Sequence, residues 1–424
     1  MTDLHFGGHQ ATFNRDYCQK GGRMSINVTH RGQVARQIGR AALLFIAHAI
    51  GTANITLVIV LSPAIEASLA LGNAGFGFII SAYYAAMLVL ALPVGWLADR
   101  YGLKIVLVIA HSLLAIGLWV LTFASGLMLA TLALALCGCG YAFINPATAR
   151  AVLMWFPARE RATVMGVKQT GVPAGGVIAA FIAATVDADW RKVVLVMAVV
   201  TAVVGVGYLG LRVAQTPRFS PVRFLDMRRL FVLPHLAYFN AGSWVYCAGQ
   251  TAFFAYIVLF IHHTMEATIT LITLCLVITH LASAAGRVLW GLVSDRLIPN
   301  SRIGCLLVIG VSAAFGIALL MSAAELGSVG IVTATALIGF TLGGYAGLTQ
   351  TAAVEAVDPD WAGAAIGYNM LFTSFGAMVG PVVFGFAVEW IGYAATWSIL
   401  AWLLLVGVLL FWMSKTIAPV DQIQ

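Results

Sequence analysis

The sequence predicts an all-α membrane protein in which twelve transmembrane helices form two six-helix bundles. Composition is the first indication, because 61% of the 424 residues are hydrophobic and only 9% are charged. Soluble domains carry about 25% charged residues, and a soluble fold could not keep this much apolar surface from water. The second indication is that apolar runs of about 20 residues, the length that crosses a bilayer, recur along the chain. The third is an internal repeat that relates the two halves.

Hydropathy divides the chain into two sets of six spans separated by a polar stretch. Residues 1–40 are polar and lack the apolar core of a signal peptide, so they predict a cytoplasmic tail, with Met24 as an alternative start. The N-terminal bundle is predicted over 41–213, a cytoplasmic linker over 214–235, the C-terminal bundle over 236–414 and a second tail over 415–424. The spans are predicted near 41–63, 76–97, 105–125, 128–152, 163–185, 192–212, 236–260, 268–292, 303–322, 328–353, 363–388 and 393–414.

The basic residues indicate the orientation of the spans. The formal net charge is +7, and nearly all Lys and Arg fall in the tails, the linker and the loops on one side of the predicted bundles. This is the positive-inside pattern, which predicts that both termini lie in the cytoplasm. We expect the membrane to be a bacterial inner membrane. The positive charge is thus explained by membrane topology, and we expect no nucleic-acid partner.

A ten-residue motif follows the second predicted span and recurs in part after the eighth. It reads Gly95-Trp-Leu-Ala-Asp-Arg-Tyr-Gly-Leu-Lys104, and its partner reads Gly291-Leu-Val-Ser-Asp295-Arg296. Glycines permit close helix approach and tight turns, and a carboxylate can face the positive N-terminus of a neighbouring helix. We therefore interpret the motif as part of a gate, with Gly95, Asp99, Arg100, Gly102, Lys104, Asp295 and Arg296 as its residues. The alternative is a positive-inside turn without a gating role, which would explain the cations but not Asp99 and its repeat at Asp295.

The motif at 95–104 resembles the signature of the major facilitator superfamily of secondary transporters, from which it departs at Leu103. The resemblance extends over all twelve spans and implies two six-helix repeats that expose a central site alternately to each side. It also implies a solute near the midplane, lined mainly by spans 1, 4, 7 and 10. The fifth span, Gly171-Val-Pro-Ala-Gly-Gly176, departs from the spacing of the family's antiporters, which disfavours export without excluding it.

Polar residues inside the predicted spans are the candidates for contact with solute, because polar groups are costly in a bilayer unless they face a cavity. Snorkelling to the cytoplasmic surface is the alternative for Lys168, and exposure to lipid or to the interface is the alternative for the aromatic residues. For Tyr256 and Phe260 we favour that alternative. The lining candidates are His48, Thr52, Asn145, Lys168, Gln169, Asn240, Trp244, Gln250, Tyr345, Gln350 and Asn369.

A charge contrast between the halves predicts a second part of the gate. The junction between spans 4 and 5 is basic, whereas the junction between spans 10 and 11 is acidic. These junctions face each other in this architecture, so we expect Arg150 and Glu355 to pair when the inner side closes. A solvated turn without a gating role is the alternative.

The predicted function is secondary active or facilitated uptake of a small organic solute, either a ring-bearing nutrient such as a vitamin or an organic anion. An efflux antiporter on the same fold is the main alternative, and a receptor or intramembrane enzyme is a remote one. Motifs of nucleotide, metal or hydrolytic sites are absent, and the six cysteines have no metal-ligand spacing, so we predict no enzyme, cofactor or metal. The expected partners are the solute and the lipid bilayer. A coupling proton or cation stays open, and we expect a monomer.

Overall fold

The computed structural model describes residues 22–185, 189–211, 232–296, 302–357 and 362–417, except for some side chains inside the helices. Regular structure in these ranges is helical throughout, as predicted. The helices are α1 (Gly22–Val60), α2 (Ser62–Leu69), α3 (Gly72–Leu121), α4 (Leu127–Trp155), α5 (Ala158–Thr185), α6 (Trp190–Gly207, followed by a 3-10 turn at Tyr208–Gly210), α7 (Pro234–Met265), α8 (Ile269–Arg296), α9 (Arg302–Met321), α10 (Ala323–Thr341), α11 (Ala346–Glu355) and α12 (Ala362–Ile417).

These helices supply twelve membrane crossings, because α3 and α12 each contain two crossings joined by a turn. Eleven segments of the described ranges are long and apolar enough to span a bilayer, and the last covers 53 residues, Ala365–Ile417. A helix of that length would measure about 80 Å, far more than a core of about 30 Å. Gly392, with φ of 76°, breaks α12 into two spans, and Gly102, with φ of 75°, breaks α3 in the same way. The predicted twelve-span class is confirmed.

Two helices differ in extent from the predicted spans. Helix α1 begins at Gly22, so it extends into the predicted N-terminal tail. The predicted tenth span, 328–353, is divided into α10 and α11 by a turn at residues 342–345. The turn contains Gly343 and Gly344, and a Cβ at Gly344 would lie 2.8 Å from the carbonyl carbon of Gly286 in α8. Close backbone approach therefore explains the glycines at this break.

The helices separate into two bundles. In the N-terminal half, α3 packs on α4 and α6, and α1 packs on α5; in the C-terminal half, α12 packs on α7 and α9, and α8 packs on α10. The main contacts between the bundles are α5 with α8 and α3 with α12. We call the end with the α1–α3 connection the outer end and the end with the Gly102 turn the inner end. The predicted orientation places the inner end in the cytoplasm.

Hydrogen bonds close the outer end around the start of α3. Tyr256 donates its hydroxyl to the Asn73 carbonyl oxygen at 2.5 Å, and Tyr393 donates to Asn73 Oδ1 at 2.6 Å. The backbone N–H of Ala74 donates to Glu389 Oε1 at 2.8 Å. Each of these bonds joins one bundle to the other, so the first turn of α3 is held by side chains of the C-terminal half. We call Asn73, Ala74, Tyr256, Glu389 and Tyr393 the outer clasp.

Two further bonds extend this closure. His263 Nε2 lies 2.9 Å from Glu66 Oε2 and joins the end of α7 to α2. The backbone N–H of Val382 donates to Ser81 Oγ at 3.1 Å and joins α12 to α3. Among the described residues, the hydrogen bonds between the bundles all lie in this outer part of the protein.

A recess lies between α3 and α12 on the inner side of these bonds. Leu88 lies seven residues beyond Ser81, about 11 Å along the helix, and Leu371 lies eleven residues before Val382, about 16 Å. At this depth the recess, of about 350 Å³, opens between the two helices. It is lined by Leu88, Leu371, Phe372 and Phe375. Among the described residues, the hydrogen bonds that join the bundles therefore lie closer to the outer end than this recess does.

Candidate functional site

A buried lysine lies where α5 meets α4 inside the N-terminal bundle. Lys168 is 1% exposed, and its Nζ donates to Asn145 Oδ1 at 2.9 Å, to Thr148 Oγ1 at 3.0 Å and to the Asn145 carbonyl at 3.4 Å. The side chain thus points inward and does not snorkel. Pro146 lies next to this carbonyl, and α4 continues through it as one helix. All three N–H bonds of the ammonium group are directed at oxygen atoms.

His48 joins the same group of residues from α1. Its Nε2 lies 2.9 Å from Thr148 Oγ1, and the Thr148 hydroxyl has its own acceptor in the Ile144 carbonyl at 2.7 Å. A hydroxyl has one hydrogen to donate, so both His48 and Lys168 must donate to Thr148. We therefore assign a proton to His48 Nε2. His48 Nδ1 is buried and has no hydrogen-bond partner.

Two hydroxyl groups continue the polar surface from α1 to α4. Thr52 Oγ1 lies 3.1 Å from Tyr141 Oη, one turn of α1 beyond His48. The lining candidates His48 and Thr52 therefore share a helix face, and both residues contact α4. Tyr141 and Thr148 were not among the sequence candidates, because hydroxyl groups are common in membrane helices and carry little signal by themselves.

The second cation, Arg287 in α8, was missed by the sequence analysis. It lies within electrostatic range of His48 and Tyr141 in the N-terminal bundle and of Tyr345 in its own bundle. Its Nε is buried without a hydrogen-bond partner. The available signal was the same as for Lys168, because Arg287 is a charged residue inside a predicted span.

Lys168 and Arg287 lie at the same depth on two helices that contact each other across the bundle interface. The contact is marked by Gly176 of α5, where a Cβ would overlap the His280 ring of α8. Lys168 lies eight residues from Gly176 towards the inner end, about 12 Å, and Arg287 lies seven residues from His280 in the same direction, about 11 Å. Seven residues make almost two helical turns. Arg287 lies seven residues from His280 and therefore faces α5 as His280 does. Gln169 lies seven residues from Gly176 and therefore faces α8 as Gly176 does.

These side chains form an inter-bundle polar site, which we define as His48, Lys168 and Gln169 of the N-terminal bundle with Arg287 and Tyr345 of the C-terminal bundle. Where side chains are described, salt bridges are formed by other residues, His263 with Glu66 and Arg302 with Glu355. Two cations therefore lie at the centre of the molecule, and no carboxylate among the described side chains is bound to either. Such a site can hold the anionic groups of a ligand.

Two of the predicted lining residues bind each other inside the C-terminal bundle. Asn369 Nδ2 donates to Asn240 Oδ1 at 2.9 Å and to Ser243 Oγ at 3.0 Å, and Asn240 Nδ2 donates to the Leu236 carbonyl at 2.8 Å. Asn240 is 1% and Asn369 2% exposed. These bonds hold α12 against α7, which favours a packing role for both amides.

The other candidates of the C-terminal bundle differ in how far their polar groups are engaged. Trp244 stacks on Phe375 with 6.3 Å between ring centroids, and its indole N–H is buried without a partner. Gln250 donates to a backbone carbonyl at the end of α10. Tyr345 is 2% exposed and faces the region of Arg287, whereas Gln350 is exposed. Trp244 therefore retains a free donor for a ligand.

The aromatic residues of α7 are more deeply packed than expected. Tyr256 is fully buried and Phe260 is 5% exposed, so the favoured assignment of both rings to lipid or the interface was wrong. Tyr256 belongs to the outer clasp, and Phe260 packs on Tyr393. Phe253 is also fully buried, against Trp397. These rings are used for closure and packing, which disfavours their use as stacking surfaces for a ring-bearing solute.

The motif residues lie at the inner ends of α3 and α8. Gly102 supplies the turn with its positive φ, and Lys104 is half-buried after it. Gly95, Asp99 and Arg100 in α3 and Asp295 and Arg296 in α8 are helical, but the contacts of their side chains lie outside the described residues. Their gating role stays a prediction.

Glu355 has a partner other than the one expected. Its carboxylate accepts from Arg302 Nε at 3.1 Å and from Arg302 Nη2 at 3.1 Å, and Arg302 Nη1 also donates to Ser294 Oγ at 2.8 Å. This cluster joins the inner ends of α8, α9 and α11 within one bundle. Arg150, half-buried near the end of α4, belongs to the other bundle. A pair between Arg150 and Glu355 stays a prediction for a different conformation.

Twelve apolar crossings in two bundles, with polar groups concentrated at the interface between them, define a multi-pass membrane transporter. Residues 43–376 match the family described as Major Facilitator Superfamily, and the chain belongs to that family. The protein is therefore a transporter of small organic solutes and not an enzyme.

Relatives with assigned names extend this comparison. The chain is 25% identical over 370 residues to the hexuronate transporter of Bacillus subtilis, covering 82% of this chain and 87% of that protein. It is 30% identical over 136 residues, 30% of each protein, to the probable galactarate/D-glucarate transporter GarP of Escherichia coli.

Solved structures share the fold at low sequence identity. A bacterial homologue of the human lysosomal transporter Spinster, inward-facing and unoccupied, has a TM-score of 0.74 at 15% identity, covering 89% of this chain and 97% of that one. A mutant of the nucleoside transporter NupG has a TM-score of 0.75 at 17% identity, covering 88% of this chain and 99% of that one.

Proposed function

We propose that the protein takes up a small organic anion, bound at the inter-bundle polar site through Lys168 and Arg287. The observation that carries the proposal is the presence of two central cations with no carboxylate bound to either among the described side chains. Charged side chains are costly at this depth and generally pair or serve function. An anionic solute would provide the missing partner.

The named relatives support an anion over a neutral ring. The hexuronate transporter and the galactarate/D-glucarate transporter are named for sugar acids, which carry carboxylates and several hydroxyl groups. The site offers matching groups, namely the Gln169 amide and the Tyr345 hydroxyl. A vitamin-like ring would depend on stacking surfaces that are largely occupied by packing.

The transport cycle follows from the asymmetry between the two ends. With the inner end cytoplasmic, as the basic loops predict, the outer clasp is the closed periplasmic gate and the conformation is inward-facing. Release of the outer clasp and approach of the inner ends would expose the same site to the periplasm. This cycle is compatible with a monomer in the inner membrane with both termini in the cytoplasm.

Uptake into proteoliposomes tests the proposal. Radiolabelled D-glucuronate, D-glucarate and succinate would be compared with a neutral sugar, a neutral ring-bearing vitamin and an organic cation. We expect at least one anion to accumulate, and Lys168→Gln to reduce its uptake at least ten-fold, because a charged hydrogen-bond partner contributes about 1.5–3 kcal/mol. Lys192→Gln is the matched control, since Lys192 is an exposed lysine near the outer end.

Three results would contradict the proposal. One is uptake of the vitamin or the neutral sugar without uptake of any anion. Another is equal anion uptake by Lys168→Gln and by Lys192→Gln. Accumulation of the anion in inside-out vesicles without uptake into right-side-out vesicles would support the efflux alternative.

A further inference from the structure

We propose that the preferred solute carries two anionic groups, one bound by Lys168 of the N-terminal bundle and the other by Arg287 of the C-terminal bundle. This inference rests on the proposed function, because it specifies the charge of the anion at the same site. It follows from the number of cations, their positions and their existing contacts.

The charge balance of the core favours a dianion. The acidic residues with described side chains lie near the ends of the helices: Glu66, Glu266 and Glu389 at the outer end, Glu355 at the inner end, and Asp189 before α6. Lys168 and Arg287 bring two positive charges to the interface at one depth. A monoanion would leave one of them without a counter-charge in a low-dielectric region, where an uncompensated charge is costly.

The arrangement of the two cations favours a solute with separated anionic groups. Lys168 and Arg287 belong to different bundles, and they lie about 12 Å and about 11 Å from the Gly176–His280 contact along adjacent helices. Lys168 is held against α4 by Asn145 and Thr148. One small carboxylate would have to draw both side chains to a single point. A two-ended anion can reach each cation in its own bundle.

Such a solute would also bind the two bundles to each other. Each anionic end would neutralise a cation of one bundle, so the doubly charged solute would draw the inner halves of α5 and α8 together. A monoanion attached to one bundle would lack this effect. The two cations therefore predict that a doubly charged solute is favoured over a singly charged one, both in binding and in the conformational change that follows binding.

Binding to the purified full-length protein tests the inference with chain-matched pairs of acids. The pairs are D-glucarate with D-glucuronate, succinate with butyrate, and glutarate with pentanoate; the first acid of each has two carboxylates and the second has one. Dissociation constants would be taken from the ligand-dependent increase in melting temperature. For at least one pair we expect the diacid to bind ten-fold or more tightly than the monoacid.

Variants of the two cations decide whether this preference arises at the proposed positions. In Arg287→Gln and in Lys168→Gln the diacid should bind as weakly as the monoacid, so the ratio should fall to about one, since one cation remains. Arg287→Lys keeps the charge and should keep a preference, which controls for a loss of folding. Lys192→Gln should retain the wild-type ratio.

Each outcome distinguishes the inference from the proposed function. Monoacids that bind as tightly as their diacids in the wild type, or a ratio unchanged in both Gln variants, would overturn the inference and leave an organic-anion transporter. Absence of binding by every acid, with binding by a neutral solute, would overturn both.

Discussion

The hydrogen bonds of the outer clasp allow an estimate of the free-energy difference between the closed and the open outer end. Glu389 Oε1 accepts from the Ala74 N–H at 2.8 Å, in the first turn of α3, where amides lack intrahelical acceptors. A carboxylate also interacts favourably with the positive end of a helix. Tyr393 adds a bond of 2.6 Å to the neighbouring Asn73. Glu389→Gln keeps the shape and an acceptor oxygen but removes the charge.

The expected effect is a shift in population without loss of the fold. A charge at a helix N-terminus contributes about 0.3–1 kcal/mol, and a charged acceptor is stronger than a neutral one by about 1 kcal/mol. A loss of about 1 kcal/mol would lower the ratio of closed to open outer ends about five-fold. Adding Tyr393→Phe removes a further bond of about 1 kcal/mol, so the double variant should shift the ratio about thirty-fold.

Distances between spin labels at the outer end would measure this ratio. Ala67 in α2 and Thr264 in α7 are exposed on opposite bundles and would carry the labels through introduced cysteines, with the native cysteines replaced. Electron–electron resonance in nanodiscs should show the longer distance more often in Glu389→Gln. Glu266→Gln, which removes an exposed acid at the same end, should leave the distribution unchanged. Equal distributions in the two variants would refute the assignment of Glu389 to the clasp.

Three further predictions concern other contacts. Gly176→Val places a side chain against the His280 ring, so we expect loss of uptake and a lower melting temperature. Overpacking of this kind lowers the free energy of unfolding by about 1–3 kcal/mol. An unchanged melting temperature would argue against the close contact. Asp99→Asn should leave the protein in the membrane, as measured by expression, and cut uptake severely, whereas a wild-type uptake rate would exclude a gating role. A double-mutant cycle that replaces Glu355 and Arg302 singly and together by alanine would measure their coupling free energy in thermal unfolding. We expect less than about 1 kcal/mol, because the Glu355 side chain is 51% exposed and water screens the pair. Additive effects would show that the pair contributes nothing.

The class of fold could be predicted from the sequence because the bilayer imposes a simple rule. Each crossing requires a long apolar helix, so length and hydropathy determine the number of spans. The break between α10 and α11 was not predicted, since it depends on close contact of the Gly343–Gly344 turn with α8. Hydropathy carries no information about such contacts.

The polar site was predictable in part, for the same reason. Lys168 was predicted as a lining residue because a charge inside a span is costly. The same argument applies to Arg287, which was not among the predicted residues. Asn240 and Asn369 satisfied that rule too, yet they bind each other. Whether a buried polar group faces a ligand or another helix depends on its neighbours in space, which one sequence does not provide.

The most direct test of the anion site is protection of a cysteine introduced by Gln169→Cys, next to Lys168 and facing α8. In protein whose native cysteines are replaced, a small hydrophilic thiol reagent should label this position, and the transported anion should slow labelling in a concentration-dependent way. With Arg287→Gln added, the same anion concentration should give at least ten-fold less protection, while a neutral sugar should protect in neither background. Equal protection with and without Arg287, or labelling that no anion affects, would contradict the proposal that an anion binds between the bundles at these two cations.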